Sequence, residues 1–390
     1  MSKTTSQKFP LLGLLALTMA GFIAIMTETL PAGLLPEISA GLNISESAAG
    51  QLVTLYAIGS LISAVPVALA TQGWRRRPLL LLTIVVFFIF NTITALSTSF
   101  VLTLVSRFFA GMAAGVVWGM IAGYAMRLVP DKLKGRAMAI ALAGTPIALS
   151  IGIPSGTFLG AILGWRLVFG IMSTISLVLI GWILWKVPDF QGQKEGKRTS
   201  LGQLFGTPGV IPILFVIFAW MLAHNILYTY IAPFLANVGL EKYLEVVLLV
   251  FGLAALVSVW IIGALIDRKL RLLVLISLSV FAISSLLLAI YSNNVIVVFL
   301  SVGLWGLTFG GAATLLQTAL AHAAGEEAVD IAIPISATVW NLAIAGGGIV
   351  GGMLLNIGVQ TIPWTLFIVV ILALVVSWGA NKHGFVKSKS

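Results

Sequence analysis

Twelve apolar runs, most about 20 residues or longer, follow one another along this chain, each bounded by charges or turn-forming residues. That recurrence limits the fold more than any motif does. Within a bilayer no water is present to satisfy backbone N–H and C=O groups, so a spanning segment is a helix or a strand of a closed barrel. A run of about 20 residues matches a helix crossing the hydrocarbon core. The limits read as 9–33, 47–70, 78–97, 100–126, 135–161, 166–186, 209–236, 244–266, 271–291, 294–321, 329–356 and 361–381. Only 9% of the residues are charged and 59% are hydrophobic, whereas an ordinary soluble protein is roughly 25% charged. The expectation is an all-α integral membrane protein of twelve spans. The first run, Phe9 to Leu35, is too long for a cleaved leader, lacks a small-residue cleavage site and contains Glu28, so it reads as span 1.

The net charge of +10 does not call for nucleic acid, because the basic residues lie in short loops. With the N-terminus inside, the inner segments hold Lys3 and Lys8, Arg75 to Arg77, Arg127, Lys132, Lys134 and Arg136. They also hold Lys186, Lys194, Lys197 and Arg198, then Arg268, Lys269 and Arg271, and finally Lys382, Lys387 and Lys389. Arg166 and Lys242 fall outside and Arg107 falls within a span. This asymmetry orients a membrane protein with its basic loops toward the cytoplasm. It predicts that both termini are cytoplasmic. The chain has no cysteine, which excludes disulfides, thiolate metal sites and cysteine nucleophiles.

One long hydrophilic stretch, "VPDFQGQKEGKRTSLGQLFGTP" from Val187 to Pro208, divides the spans six and six. It predicts an N-terminal bundle over 1–187, a cytoplasmic linker over 188–208 and a C-terminal bundle over 209–390. The halves also resemble each other. "SRFFAGMAAG" (Ser106 to Gly115) aligns with "SVGLWGLTFG" (Ser301 to Gly310) at an offset of 195, and Arg75 falls opposite Arg271. Two six-span repeats of like orientation predict a pseudo-twofold axis along the membrane normal, with a solute site between them. Gly152, Gly156, Gly160 and Gly164 recur every four residues on span 5, as do Gly348 and Gly352 on span 11. Such stripes permit close helix approach. They are expected either to pack statically or to form an interface between halves that slides or seals.

Several stretches together resemble the major facilitator superfamily, in particular its twelve-span drug–proton antiporter branch. They are "TETLPAGLLPEIS" on span 1, "GWRRRPLLL" between spans 2 and 3, "SRFFAGMAAGVVWG" on span 4, "GIPSGTFLGAILGWRLVF" on span 5 and "WNLAIAGGGIVGG" on span 11. The likeness extends to bacterial sugar-efflux, arabinose-efflux-like and purine-nucleoside-efflux permeases. It implies two six-helix bundles working by alternating access in the inner membrane, with protons as the coupling ion and no other cofactor. It also implies gating by the loop clusters Arg75–Arg76 and Asp267–Arg268 and by the span-5 motif with Gly152, Pro154 and Gly156. The chain departs from the family where Thr71 and Gln72 replace the usual Asp-Arg, and where Ile153-Pro154-Ser155-Gly156 replaces Gly-Pro-x-x-Gly.

Glu28 is the one carboxylate well inside a predicted span. A charge near the membrane centre costs at least ~2.5 kcal/mol on insertion scales, so such a group pairs or faces a cavity. Arg107 of span 4 sits at similar depth. Burial and a nearby guanidinium act oppositely on a carboxylate's proton affinity, so Glu28 is expected to carry the coupling proton and Arg107 to modulate it. The alternative is a permanent ion pair joining spans 1 and 4. His224, deep in span 7, is the rival titratable group and reads as a substrate contact. His224 and Tyr228, four residues apart, share a helix face. Asn225, Trp118, Asn341 and Gln317 complete the candidate lining.

These groups suit a neutral, polyhydroxylated or heterocyclic solute such as a sugar, nucleoside or drug. The expected function is proton-coupled export by a monomer in a lipid bilayer, with an uncoupled facilitator or importer as the alternative. No phosphate loop, H-E-x-x-H or G-x-S-x-G is present, so no enzymatic activity is expected.

Overall fold

A computed structural model describes residues 9–64, 66–71, 73–130, 133–192 and 201–385. Among them the chain is helical and without strands, and twelve helical spans are long and apolar enough to cross a bilayer. Spans 1 to 6 run Leu11–Gly33, Glu46–Ala64, Arg76–Leu96, Phe100–Arg127, Arg136–Leu163 and Trp165–Lys186. Spans 7 to 12 run Val210–Thr229, Glu241–Ile266, Arg268–Tyr291, Val295–Gly325, Ala332–Ile357 and Thr361–Gly379. The periphery is apolar, with Leu96, Val101, Trp260, Ile296 and Val375 among its exposed side chains. That surface is matched to acyl chains and not to water.

Proline explains where the helices depart from a simple reading. Span 7 was expected to continue to residue 236, yet it breaks at Tyr230 and resumes as Ile231–Asn237. Pro233 has no N–H for the carbonyl four residues back, at Thr229, and its ring crowds that turn. Span 1 carries Pro31 internally and ends at Leu34, after which Leu35–Leu42 forms a separate short helix. Span 5 contains a π-helical turn over Ala148–Gly152 immediately before Pro154.

The internal repeat is visible in the packing. An added Cβ on Gly111 of span 4 would collide with the Tyr56 carbonyl, and one on Gly306 of span 10 with the Phe251 carbonyl. Gly115 stands in the same way against Ser60, and Gly310 against Ala255. Each residue of the second set follows its counterpart by 195 positions, so spans 2 and 4 cross as spans 8 and 10 do. Only glycine permits this backbone approach.

The loops at the linker end repeat as well. Arg77 donates from Nη2 to the Leu184 carbonyl, and Arg271 from Nη2 to the Trp378 carbonyl at 2.9 Å. Arg271 follows Arg77, and Trp378 follows Leu184, by the same 194 residues. The true counterpart of Arg271 is therefore Arg77 and not Arg75. In each half this arginine holds the last turn of the sixth span.

Candidate functional site: the interface between the halves

At the end of the molecule away from the linker, the halves are closed against each other. Ser47 Oγ donates to the Gly352 carbonyl at 3.2 Å, and Gln51 Nε2 to the Gly348 carbonyl at 3.3 Å. Tyr230, at the break in span 7, donates its hydroxyl to the same Gly348 carbonyl at 2.8 Å. A Cβ on Gly50 would run into the Tyr230 ring, and one on Gly348 into Thr54. Beneath these bonds Val53, Ala57, Ile344 and Ala345 form an apolar plug flanked by Ile58 and Trp340. Span 8 approaches span 5 where Gly252 lies on Leu149 and Ser150.

The span-5 glycines do something different from the span-11 pair. Gly152 lies against Phe22 and Met26, Gly156 against Leu30, and Gly160 against Leu34. All four of those partners belong to the first half, so this part of the stripe seats span 5 on span 1 and does not line the seam between halves. Gly164 leaves the stripe altogether. It ends the helix with φ of 86°, a left-handed conformation that glycine adopts without steric cost.

Toward the linker end several small or polar positions of spans 4, 10 and 11 retain accessible surface. Gly119 and Gly123 of span 4 are exposed, and a Cβ on either would meet nothing within 4 Å. Gln317 is exposed on span 10. Asn341 is half-buried and bonds the Ala337 carbonyl of its own helix at 2.9 Å. Trp118 is half-buried, with its indole against Gly21 of span 1. Asn225 takes no part in this surface, since it bonds the Met221 carbonyl at 2.8 Å and packs against Gly347 of span 11.

Between seal and opening lies the acid. Glu28 retains 9% of its surface, whereas Arg107 has none. Among the described residues no ion pair joins them, although they are within Coulombic reach. Arg107 Nη2 donates instead to the Thr27 carbonyl. That acceptor is available because the residue four positions on is Pro31, which cannot donate to it. The guanidinium lies over the Tyr56 ring at 4.8 Å, an arrangement favourable to a cation. Tyr56 in turn donates to the Ala24 carbonyl at 2.8 Å. Asn91 of span 3 donates to Thr27 Oγ1 at 3.1 Å. Arg107 Nε and Nη1 and Asn91 Oδ1 remain buried without partners among the described residues.

The second half faces this arrangement with rings. His224 and Tyr228 do share a face, with centroids 5.3 Å apart. Phe309 stacks on His224 at 3.6 Å, and Trp305 donates from Nε1 to His224 Nδ1 at 3.1 Å. Phe251, the repeat counterpart of Tyr56, packs on Trp305 at 4.4 Å. Tyr228 lies within the electrostatic reach of Glu28, so acid and aromatic wall confront each other across the seam. Sequence reasoning passed over Tyr56, Asn91, Phe251, Trp305 and Phe309. The 195-residue offset pairs Tyr56 with Phe251 and was the one available signal for either.

The expected loop cluster of the first half takes an unexpected form. Arg75 pairs with Asp189, which also accepts from the Arg77 backbone N–H at 3.0 Å. Arg76 donates its backbone N–H to the Phe190 carbonyl at 2.8 Å. The carboxylate missing near Thr71 thus arrives from the chain after span 6, and the contact is internal to one half. Partial desolvation pushes the Asp189 carboxyl up, but the Arg77 N–H and the Arg75 guanidinium outweigh it and hold it below the usual range. Gln72 and the side chain of Asp267 lie outside the described residues, and Arg268 is exposed.

Comparison with known proteins agrees with this architecture. The model of the Major Facilitator Superfamily matches residues 17–345. A "Probable sugar efflux transporter" of Helicobacter pylori is 27% identical over 358 residues, 91% of each chain. The "Purine ribonucleoside efflux pump NepI" of Escherichia coli K12 is 31% identical over 341 residues, 86% of each. Among solved structures, a bacterial homologue of the human lysosomal transporter Spinster, inward-facing and occupied, superposes with a TM-score of 0.74. At 16% identity over 95% of this chain and 96% of that one, it shares the fold.

Proposed function

Because the chain belongs to the major facilitator superfamily and is a membrane transporter of small solutes and not an enzyme, we propose that it exports a small neutral solute in exchange for protons. The observation that carries this reading is Glu28. Among the described residues it is the sole carboxylate deep in a span, it keeps 9% of its surface, and groups from both halves act on it. A buried acid in a transporter is costly and marks an ion or proton pathway.

Arg107 anchored on the Thr27 carbonyl leaves the carboxylate free to hold a proton. When the guanidinium moves to the carboxylate the proton leaves, and solute and proton thus occupy the passage alternately. The closed seam at Ser47, Gln51 and Tyr230 is one end-state of alternating access, and the exposed surface at Gly119, Gly123 and Gln317 is the opening for solute. The basic loops support a reading in which that end and both termini face the cytoplasm of a bacterium and the seal faces outward. One chain supplies both walls, so a monomer suffices. Relatives carry the names of a probable sugar efflux transporter and a purine ribonucleoside efflux pump, whose solutes are neutral and hydroxyl-bearing.

The test is accumulation of radiolabelled inosine and arabinose by proteoliposomes under an imposed pH gradient. Glu28→Gln is expected to abolish gradient-driven accumulation while keeping solute exchange down a gradient. Uphill movement retained by that variant defeats the coupling role and makes the protein a facilitator with a structural acid.

A further inference from the structure

The aromatic wall contains a hydrogen bond with a chemical direction. Trp305 is without accessible surface and donates to His224 Nδ1 at 3.1 Å. An indole nitrogen only donates, so the Nδ1 that receives it presents a lone pair. The imidazole proton then sits on Nε2, because the bond at one ring nitrogen sets the state of the other. Protonating Nδ1 as well would set N–H against N–H. The ring face is occupied by Phe309, whose plane lies within 10° of the imidazole. What His224 has left is its Nε2 edge. It keeps 5% of its surface, and the Trp305 bond is the only hydrogen bond it makes among the described residues. The titratable group in contact with it is Tyr228 on its own helix, and Tyr228 in turn lies within the electrostatic reach of Glu28 across the seam.

We propose that Trp305 fixes His224 as a neutral Nε2–H donor which, beside Phe309 and Tyr228, selects a planar heterocycle with an in-plane acceptor, a nucleobase, over a simple sugar. The inference rests on the seam being the solute's route, as proposed above. A purine base offers a flat face to the rings and a ring nitrogen or carbonyl to the single fixed donor. A sugar is puckered and surrounds itself with hydroxyls, each needing a partner of its own. This wall supplies the imidazole edge and the Tyr228 hydroxyl but little else that is polar. A site whose fixed donor is pre-oriented discriminates strongly against solutes that leave it unpaired. His224 is then a specificity residue, Trp305 is its positioning residue, and proton traffic is left to Glu28.

Two measurements test this on the full-length protein in nanodiscs. The first is 15N NMR of histidine-labelled protein, with His224 among the three histidines assigned by the signal lost in His224→Gln. One neutral tautomer protonated at Nε2 is expected, together with a tautomer mixture in Trp305→Phe, which keeps the ring but removes the donor. An Nδ1–H tautomer or an imidazolium at neutral pH overturns the lock. The second is equilibrium binding of inosine and of arabinose. Inosine is expected to bind more tightly. His224→Gln, whose amide N–H stands in for Nε2–H, should bind it within about threefold of the parent and His224→Ala about tenfold more weakly. Arabinose bound as well as inosine, or equal impairment by Gln and Ala, overturns the selectivity. Neither measurement uses a pH gradient, so failure of coupling at Glu28 leaves both outcomes readable.

Discussion

Thr27 shows how one residue can organise a buried charge. Its carbonyl, released by Pro31, receives Arg107, and its hydroxyl receives Asn91. Asn91 has no accessible surface and its Oδ1 is already without a partner. Thr27→Val strands its amide N–H groups as well, at a cost of about 1–3 kcal/mol, because an unpaired buried donor loses hydration without compensation. The expected readout is a lower thermal unfolding midpoint in detergent. Asn91→Leu on the Thr27→Val background should recover most of that loss, since removing both partners costs less than removing one. If the double variant is as unstable as the single one, the bond is not what holds Asn91 inside. Glu28 belongs to the same scale: its position among apolar neighbours was legible in the primary structure, but its freedom from Arg107 was not. A helix carbonyl outcompeting a carboxylate for an arginine depends on where span 4 meets the kink of span 1.

At the scale of elements, span 11 and span 2 form the seal, and small residues decide whether it closes. Gly348 and Gly352 offer carbonyls to Gln51, Tyr230 and Ser47, while Gly50 makes room for the Tyr230 ring. Gly50→Ala places a methyl group where that ring lies, so the sealed state is disfavoured relative to its opposite. Overpacking a tight contact costs about 1–3 kcal/mol, enough to reverse a near-balanced pair of states. Because the chain has no cysteine, Val53→Cys provides a clean reporter beneath the seal. Labelling by an impermeant maleimide added on the sealed side is expected to be slow in the parent and faster in Gly50→Ala. Equal rates would show that the seam is not held by this contact. The span-5 stripe has the same spacing as the span-11 stripe yet packs against span 1. Period alone identifies a face and not its partner.

For the whole molecule, the seal also carries charge. Glu37 in the short helix after span 1 is pushed up by burial and by the carboxylates of Glu245 and Glu46. Glu245 begins in the other half, so like charges face each other over the closed seam. A carboxyl raised in the sealed state binds its proton more tightly there than when the halves part. The sealed state therefore gains as pH falls through the Glu37 range and loses as pH rises. Labelling at Val53→Cys, taken relative to the same cysteine in unfolded protein at the same pH because maleimide reacts with the thiolate, should accordingly slow as the pH on that side is lowered, and in Glu37→Gln this relative rate should be slow at every pH. A pH dependence that survives Glu37→Gln would assign the effect to another group. The opposite end is held within each half, by Arg75 and the Arg77 backbone N–H on Asp189 after span 6 and by Arg271 on the Phe385 carbonyl after span 12. None of these ties joins one half to the other.

Span number and the repeated glycine crossings were legible in the order of residues, for reasons that need no tertiary contact. Hydrocarbon thickness dictates run length, and duplicated glycines recur at one offset because duplicated crossings need them. The meeting of residues far apart in the chain was decided by packing alone. Arg107 on Thr27, Trp305 on His224 and Tyr230 against Gly50 each join helices whose relative rotation no single helix encodes. In a bundle apolar on nearly every face, hydrophobicity no longer distinguishes inside from outside, and the angle of each span is settled only when its small residues and few polar groups find their counterparts on the others.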